Sequence, residues 1–361
     1  MITFIPEIPY NTLPTLPPKQ ELESKIVLKK CIEVNSALAE LKTAGRLIPN
    51  QSVLINIIPL LEAKDSSAIE NIVTTTDKLF KYADGNTYNL DASTKETLRY
   101  REALQLGCKH LEKKPLSTST AIEICSVIKG QQMDIRKTPG TTLVNDLTKE
   151  IIYTPPAGEG IIRDLLKNWE AFLHNESNIE PLVRMAVSHY QFEAIHPFTD
   201  GNGRTGRILN ILFLIQENLL TSPILYTSRY IIANKNEYYQ LLLKVTKEND
   251  WESWILYILS AIGDTCRWTL NKIEAIKHLS EEVTRIVKSQ ASTIYSRDLI
   301  DVIFTQPYCR IANLIDYGIA KRQVASVYLK KLCEIGILEE VREGRDKIFI
   351  HPKMINLLVS E

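Results

Sequence analysis

Apolar positions recur at three- and four-residue intervals along most of this chain, and that spacing predicts helices. Leu28, Ile32, Leu38 and Leu41 open the series. A second helical run surrounds Ile55–Ile72, where Pro59 is expected to mark a start or a kink. Thr97–Leu111, Ala121–Ile128, Gly160–His174, Pro181–Ile195, Ile208–Gln216, Lys235–Leu242 and Trp251–Ile262 continue the pattern. It breaks at the beginning, where residues 1–20 hold five of the sixteen prolines and read as an extended arm. It breaks again between 136 and 160. There Thr141–Val144 and Glu150–Tyr153 are short β-prone runs, joined through Asn145–Lys149 and bracketed by Pro139-Gly140 and Pro155-Pro156. Such bracketing predicts a β-hairpin.

From about Ser280 a connecting helix, Glu281–Ser289, leads to Ser296–Phe304, Ile311–Tyr317 and Ala320–Ile335. Val324, Tyr328, Leu332 and Ile335 are expected to share the apolar face of the last of these. Two strand-like runs follow, Leu338–Val341 and Lys347–Ile350, joined by Arg342–Asp346. Helix–turn–helix followed by a two-stranded ribbon is the winged-helix plan. The expected fold is therefore mainly α: an N-terminal helical region over residues 1–115, a helical core with a β-hairpin flap over 116–275, and a winged helix over 276–361.

Composition narrows the class. Lys+Arg and Asp+Glu are both 43, so net charge gives no pointer to nucleic acid or membrane. Residues 296–361 hold ten Lys/Arg against nine Asp/Glu, a weak footprint for DNA despite Lys321, Arg322, Lys330 and Lys331. Six scattered cysteines without a CxxC pair read as small buried residues in a reducing compartment. The start lacks the basic and apolar regions of a signal peptide, and the apolar run at Ile208–Ile215 is broken by Asn210. The expectation is a cytoplasmic protein with no membrane partner.

The chemistry concentrates in His196-Pro-Phe-Thr-Asp-Gly-Asn-Gly-Arg-Thr-Gly-Arg207. Gly201, Gly203 and Gly206 precede or open an apolar helix, and a glycine-rich turn into a helix N-terminus is an anion site. Arg204 and Arg207, three apart, can fork onto phosphate oxygens. Asp200 offers a hard oxygen for Mg²⁺, and His196 can accept a proton near neutral pH. Arg204 stands where a calcium loop needs an oxygen ligand, and no Gly-Lys-Ser/Thr follows, so neither an EF-hand nor a Walker A loop fits.

The same twelve residues resemble the motif of the Fic family, HPFx(D/E)GNGRxxR, at every defining position. That resemblance implies a protein adenylyltransferase, using Mg²⁺ and ATP to modify a Ser, Thr or Tyr hydroxyl of a target protein, or of itself. It implies His196 as general base, Asp200 as metal ligand, and Gly201, Asn202, Gly203, Arg204, Thr205, Gly206 and Arg207 around the nucleotide. Phe198 would anchor the loop and Asn202 would fix its turn. Ser66-x-x-x-Glu70-Asn71 resembles the family's inhibitory-helix motif, here placed on a helix at about 57–72, whose Glu pairs with the second arginine and excludes the γ-phosphate. The plain alternative is a capping box, Ser67-x-x-Glu70, opening a new helix. By the same resemblance the hairpin becomes a flap that aligns target segments by strand pairing, and Tyr239 a contact for base or ribose. His189 reads as a core residue instead. Rival readings are AMP removal or another phosphotransfer on the same site, and a DNA-binding regulator with a nucleotide-sensing core. A homodimer is a further possible assembly.

Overall fold

The computed structural model describes residues 4–47, 51–83, 90–144, 148–175, 178–343 and 346–359. Helices dominate it. α1 (Lys25–Leu47), α2 (Ser52–Ile69), α3 (Thr76–Tyr82) and α4 (Ala92–Leu111) form the first group. α5 (Thr118–Lys129) leads to a two-stranded antiparallel hairpin, β1 (Leu143–Val144) with β2 (Ile151–Tyr153). Then come α6 (Glu159–Asn175), α7 (Pro181–Ile195), α8 (Asn202–Gln216), α9 (Thr227–Ala233), α10 (Lys235–Glu248) and α11 (Trp251–Gln290). The last part holds α12 (Arg297–Thr305), β3 (Tyr308–Cys309), α13 (Ile311–Asp316), α14 (Arg322–Glu334), β4 (Glu339–Glu343), β5 (Asp346–Ile350) and α15 (Pro352–Val359). Its antiparallel sheet has the order β3-β5-β4. The hairpin turn over 145–147 and the tip of the second ribbon at 344–345 lie outside the described residues.

Local chemistry sets the boundaries. Asp91 Oδ1 accepts the Thr94 amide at 2.8 Å to start α4, and Ser117 Oγ accepts the Thr120 amide at 3.3 Å to start α5. α5 stops at Gly130, whose left-handed φ of 65° a side chain would resist. Pro181 occupies the first turn of α7, where its missing N–H costs nothing.

Several expectations change. Pro59 does not start a helix: it lies inside α2. α2 is sunk in the core on most sides, with Val53, Leu54, Ile57, Ile58, Leu60 and Leu61 all buried. That apolar burial outweighs the lost backbone bond, which in an exposed helix costs about 3 kcal/mol. Among the described residues, the proline-rich N-terminal segment forms no helix or strand, and it packs on the core. Leu13 and Leu16 are buried, the Leu16 amide donates to Asn168 Oδ1 at 2.7 Å, and Gln191 Nε2 donates to the Pro14 carbonyl at 2.8 Å. On α1 the inward stripe is Val27, Cys31, Val34, Leu38 and Leu41, whereas Ile32 is 72% exposed. The two helices expected at 251–262 and 281–289 are one 40-residue helix, so the boundary drawn at 276 falls inside α11. On α14 the buried residues are Ala325, Leu329 and Leu332, and Val324 is exposed. An α-helix of 3.6 residues per turn rotates Val324 off that stripe.

Candidate active site

The site grows out of the junction between α7 and α8. α7 ends at His196, held at φ 50° and ψ 59°, a left-handed conformation that costs a non-glycine residue about 1–3 kcal/mol. The chain then turns through Phe198, which is fully buried, to Gly201 at φ 82°, the cap of α8. Asn202 closes this loop on itself: its Oδ1 accepts the Phe198 amide at 2.8 Å and its Nδ2 donates to the Phe198 carbonyl at 2.9 Å. The first turn of α8, with the positive end of the helix dipole, thus starts six residues after His196, across this closed loop.

A carboxylate lies against that turn. Glu70 Oε2 accepts from Arg204 Nε at 2.6 Å, and its Oε1 accepts from Arg207 Nη2 at 2.9 Å. Both guanidinium groups are almost wholly buried, so this is a desolvated ion cluster rather than a surface pair. Arg207 Nε also donates to Ser66 Oγ at 2.7 Å, and Nη2 to the Ser66 carbonyl at 2.8 Å. The two arginines are three residues apart on α8, and one anion spans them.

Glu70 reaches the site because α2 stops just before it. The Ile72 and Asn71 amides donate to the carbonyls of Ser67 and Ala68, both at 3.0 Å, and Asn71 has φ 64°. This is a left-handed asparagine closing a helix C-terminus. Glu70 therefore ends a helix; the capping-box alternative, in which it opens one, is not what forms. Gly203 admits the carboxylate: a Cβ there would lie 2.6 Å from Glu70 Oε1 and 2.9 Å from Arg207 Nη1. Gly206 similarly leaves room for Glu193, whose Oε1 would lie 2.6 Å from an added Cβ.

Glu96, Lys129 and Glu193 were not singled out in the sequence. Glu96 Oε1 accepts from Arg204 Nη1 and from Lys129 Nζ, each at 2.6 Å. Lys129 also meets Asp200 Oδ2 at 2.5 Å, and Arg204 Nη2 lies 3.4 Å from Asp200 Oδ1. Burial raises the Asp200 pKa, but its hydrogen bond and charge interaction with Lys129 outweigh that, and the carboxyl ends below its ordinary value. Its side chain is 57% exposed. Glu193 is pushed up to about 7 by burial, against the pull of Arg207. Glu96 and Lys129 carry no short-range sequence signal, because each meets the loop only through tertiary packing.

His196 is pushed down to about 4, first by burial and then by the Arg136 guanidinium. Its Nδ1 faces the Glu193 carbonyl at 3.4 Å. A proton on Nδ1 leaves Nε2 as the acceptor. On the buried side, His189 Nε2 and the Tyr238 hydroxyl are 2.9 Å apart, and burial lowers the His189 pKa to about 3. His189 is thus a core residue. Tyr239, the sequence choice for base contact, is exposed on α10, and the hydroxyl that reaches inward is Tyr238's. Thr205 is buried within the first turn of α8.

A helical scaffold, a left-handed histidine and two buried arginines sharing one carboxylate at a helix N-terminus make up the site. Residues 28–109 match the Fic/DOC family N-terminal region, 115–214 the Fic/DOC family domain, and 279–354 the C-terminal domain described as protein adenylyltransferase SoFic-like. The chain belongs to the Fic/DOC family. It is 28% identical over 139 residues to protein adenylyltransferase Fic of Drosophila yakuba, covering 38% of this chain and 26% of that one. To protein adenylyltransferase fic-1 of Caenorhabditis elegans it is 32% identical over 108 residues, covering 29% and 20%. The matched stretches thus span about a quarter of those relatives. In fold it is similar to a Fic family protein from Desulfovibrio desulfuricans G20, with TM-score 0.58, 20% identity and coverage of 91% and 96%. A Fic-1 fragment from C. elegans gives TM-score 0.53 at 21% identity, covering 70% and 74%. No helix among the described residues is long and apolar enough to cross a membrane.

Proposed function

We propose that this protein transfers AMP from ATP to a hydroxyl of a protein side chain, and that the arrangement described is its self-blocked state. One observation carries the reading: a carboxylate spans both buried arginines at the glycine-rich helix start, an anion seated where a polyphosphate end would sit. With Glu70 withdrawn, Arg204 and Arg207 offer their forks to phosphate oxygens, and the amides around Gly201–Gly203 face the phosphate chain.

The attacking hydroxyl oxygen forms a bond to the α-phosphorus while the bond from that phosphorus to the leaving oxygen breaks. Pyrophosphate departs with the electron pair, and the hydroxyl proton passes to His196 Nε2. General-base assistance of this kind contributes about 10²–10⁴-fold. The loop amides and arginines stabilise charge that builds on the phosphoryl oxygens in a site from which Phe198 and Asn202 exclude disorder. A negative residue left at Glu70 keeps the γ end of ATP off Arg207, and a misplaced nucleotide presents its α-phosphate out of line.

Mg²⁺ fits through one protein ligand. Asp200 has an exposed, ionised carboxylate at the mouth of the cradle, and Mg²⁺ commonly takes one carboxylate plus substrate phosphates rather than a protein cage. When bound it would neutralise charge on the phosphate oxygens. We read the C-terminal unit as a winged helix, from its order of α12, β3, α13, α14, β4 and β5. Its near-balanced charge favours protein docking over DNA.

The test is incubation with α-labelled ATP and Mg²⁺, comparing wild type, Glu70→Gly and His196→Ala. Label on protein that rises in the first variant and vanishes in the second supports the reading. Labelled DNA retarded by the protein, with no protein labelling in any variant, would favour a regulator instead.

A further inference from the structure

Arg136 lies outside the glycine-rich loop, yet its guanidinium meets the catalytic histidine from behind. It precedes the hairpin in sequence and is 4% exposed. Its Nε donates to the His196 carbonyl at 2.7 Å. Its Nη2 donates to the Pro156 carbonyl at 2.5 Å and to the Ile195 carbonyl at 3.3 Å. Its own amide donates to the Pro197 carbonyl at 2.9 Å. The hairpin excursion thus leaves the core at Arg136 and returns at Pro156, and both ends are tied to the backbone of residues 195–197. A second tie runs beside it: the Tyr153 hydroxyl donates to the Ala194 carbonyl at 2.9 Å. Tyr153 is in turn packed by Phe4 and Tyr10 of the N-terminal segment, and the Tyr10 amide donates to the Thr154 carbonyl at 3.0 Å.

We propose that Arg136 is a positioning residue for AMP transfer, holding His196 in its left-handed turn and locking the returning strand of the hairpin to the same point. The assignment rests on His196 acting as the base. A carbonyl that ends a helix has no partner in the next turn, and a fixed guanidinium with several donors can hold two such carbonyls and that of Pro156 at once. The His196 ring follows its backbone, so a few tenths of an ångström lost at the carbonyl is carried to Nε2. The guanidinium also opposes a positive imidazole, as Glu70 and Asp200 favour one. Geometry and charge come from the same side chain, and substitution can separate them.

The experiment uses the full chain in a Glu70→Gly background, adding Arg136→Lys or Arg136→Gln. Lysine keeps the charge but cannot reach the same set of carbonyls. Three readouts are taken: AMP incorporation from labelled ATP, ATP affinity, and the His196 titration followed by NMR at its ring carbon. With lysine, the rate should fall about tenfold to a hundredfold, the scale expected for a misplaced base. ATP affinity should stay within about twofold, and the His196 pKa should remain depressed. With glutamine, the rate should fall similarly and the His196 pKa should move up towards its ordinary 6.5. Amide exchange across residues 151–157 should quicken in both. A folded lysine variant with wild-type rate and wild-type exchange overturns the proposal, and that variant decides the matter should glutamine not fold. Loss of ATP affinity in proportion to rate overturns it too, since it points to general collapse of the site. Failure of the base assignment is distinguishable, because His196→Ala would then keep its labelling while the titration and exchange changes remain.

Discussion

His196 shows how one residue can be legible in its identity and illegible in its state. Its place before the glycines marked it as the base, but only packing reveals that burial and Arg136 push its pKa down to about 4. The sign follows directly. With His196 as the proposed base its neutral ring is the competent form, so AMP transfer should hold its rate as pH falls through 6.5 and decline only on a limb near 4. A rate profile with half-maximal activity at pH 6.5 would contradict the half-buried, charge-opposed setting. His196→Ala should lose nearly all transfer yet bind ATP with little change, since the ring has no phosphate to hold; parallel rate and calorimetric titrations check both halves. Arg207→Ala should narrow the preference for ATP over ADP, because its fork is assigned to the γ end. An unchanged ratio of the two dissociation constants would sink that assignment. Asn71, read from the motif, gains a physical role as the left-handed residue that ends α2. Glu96, Lys129 and Arg136 remained invisible because each lies more than fifty residues from the residue of the 196–207 loop that it meets.

At the scale of elements, helix periodicity was readable wherever one face meets solvent, and misleading where burial is all round or packing rotates the stripe. α2 is the clearest case. Its apolar residues lie on most sides, so periodicity placed it three residues late at each end and Pro59 read as a start or a kink. Buried polar groups also fix it in place: Glu62 accepts from Tyr100 at 3.1 Å and from the Ser228 amide at 2.9 Å, and Tyr226 donates to Asp65. These bonds hold the helix that delivers Glu70. α4 and α8 meet at Gly107, where an added Cβ would lie 2.4 Å from Leu212 Cδ1. Gly107→Ala should therefore destabilise the fold by about 1–3 kcal/mol from overpacking, less up to about 1 kcal/mol regained in helix propensity. Denaturant melts would measure this. A more stable variant would mean that Leu212 moves aside freely.

Across the whole molecule, the parts are tied more closely than composition suggested. α11 runs through the boundary expected at 276, and Lys272 on it donates to the Leu357 carbonyl at 2.8 Å in α15. Tyr308 in β3 donates to Asp77 on α3 and stacks on Phe80, while Arg310 donates to the Lys81 carbonyl at 2.7 Å. The C-terminal unit therefore abuts the region that carries α2, a contact that no local pattern could announce. What ties sequence to function over this distance is the single carboxylate of Glu70 on two arginines more than 130 residues away. The most direct test is the initial rate of AMP incorporation from α-labelled ATP with Mg²⁺, wild type against Glu70→Gly, with melting temperature and ATP affinity recorded on the same samples. Freed of the carboxylate, the variant should transfer AMP about a hundredfold faster, the scale of a corrected misplacement of the nucleotide, even as its melting temperature falls with the lost ion cluster. A folded variant that binds ATP as well as wild type and transfers AMP no faster would contradict the account.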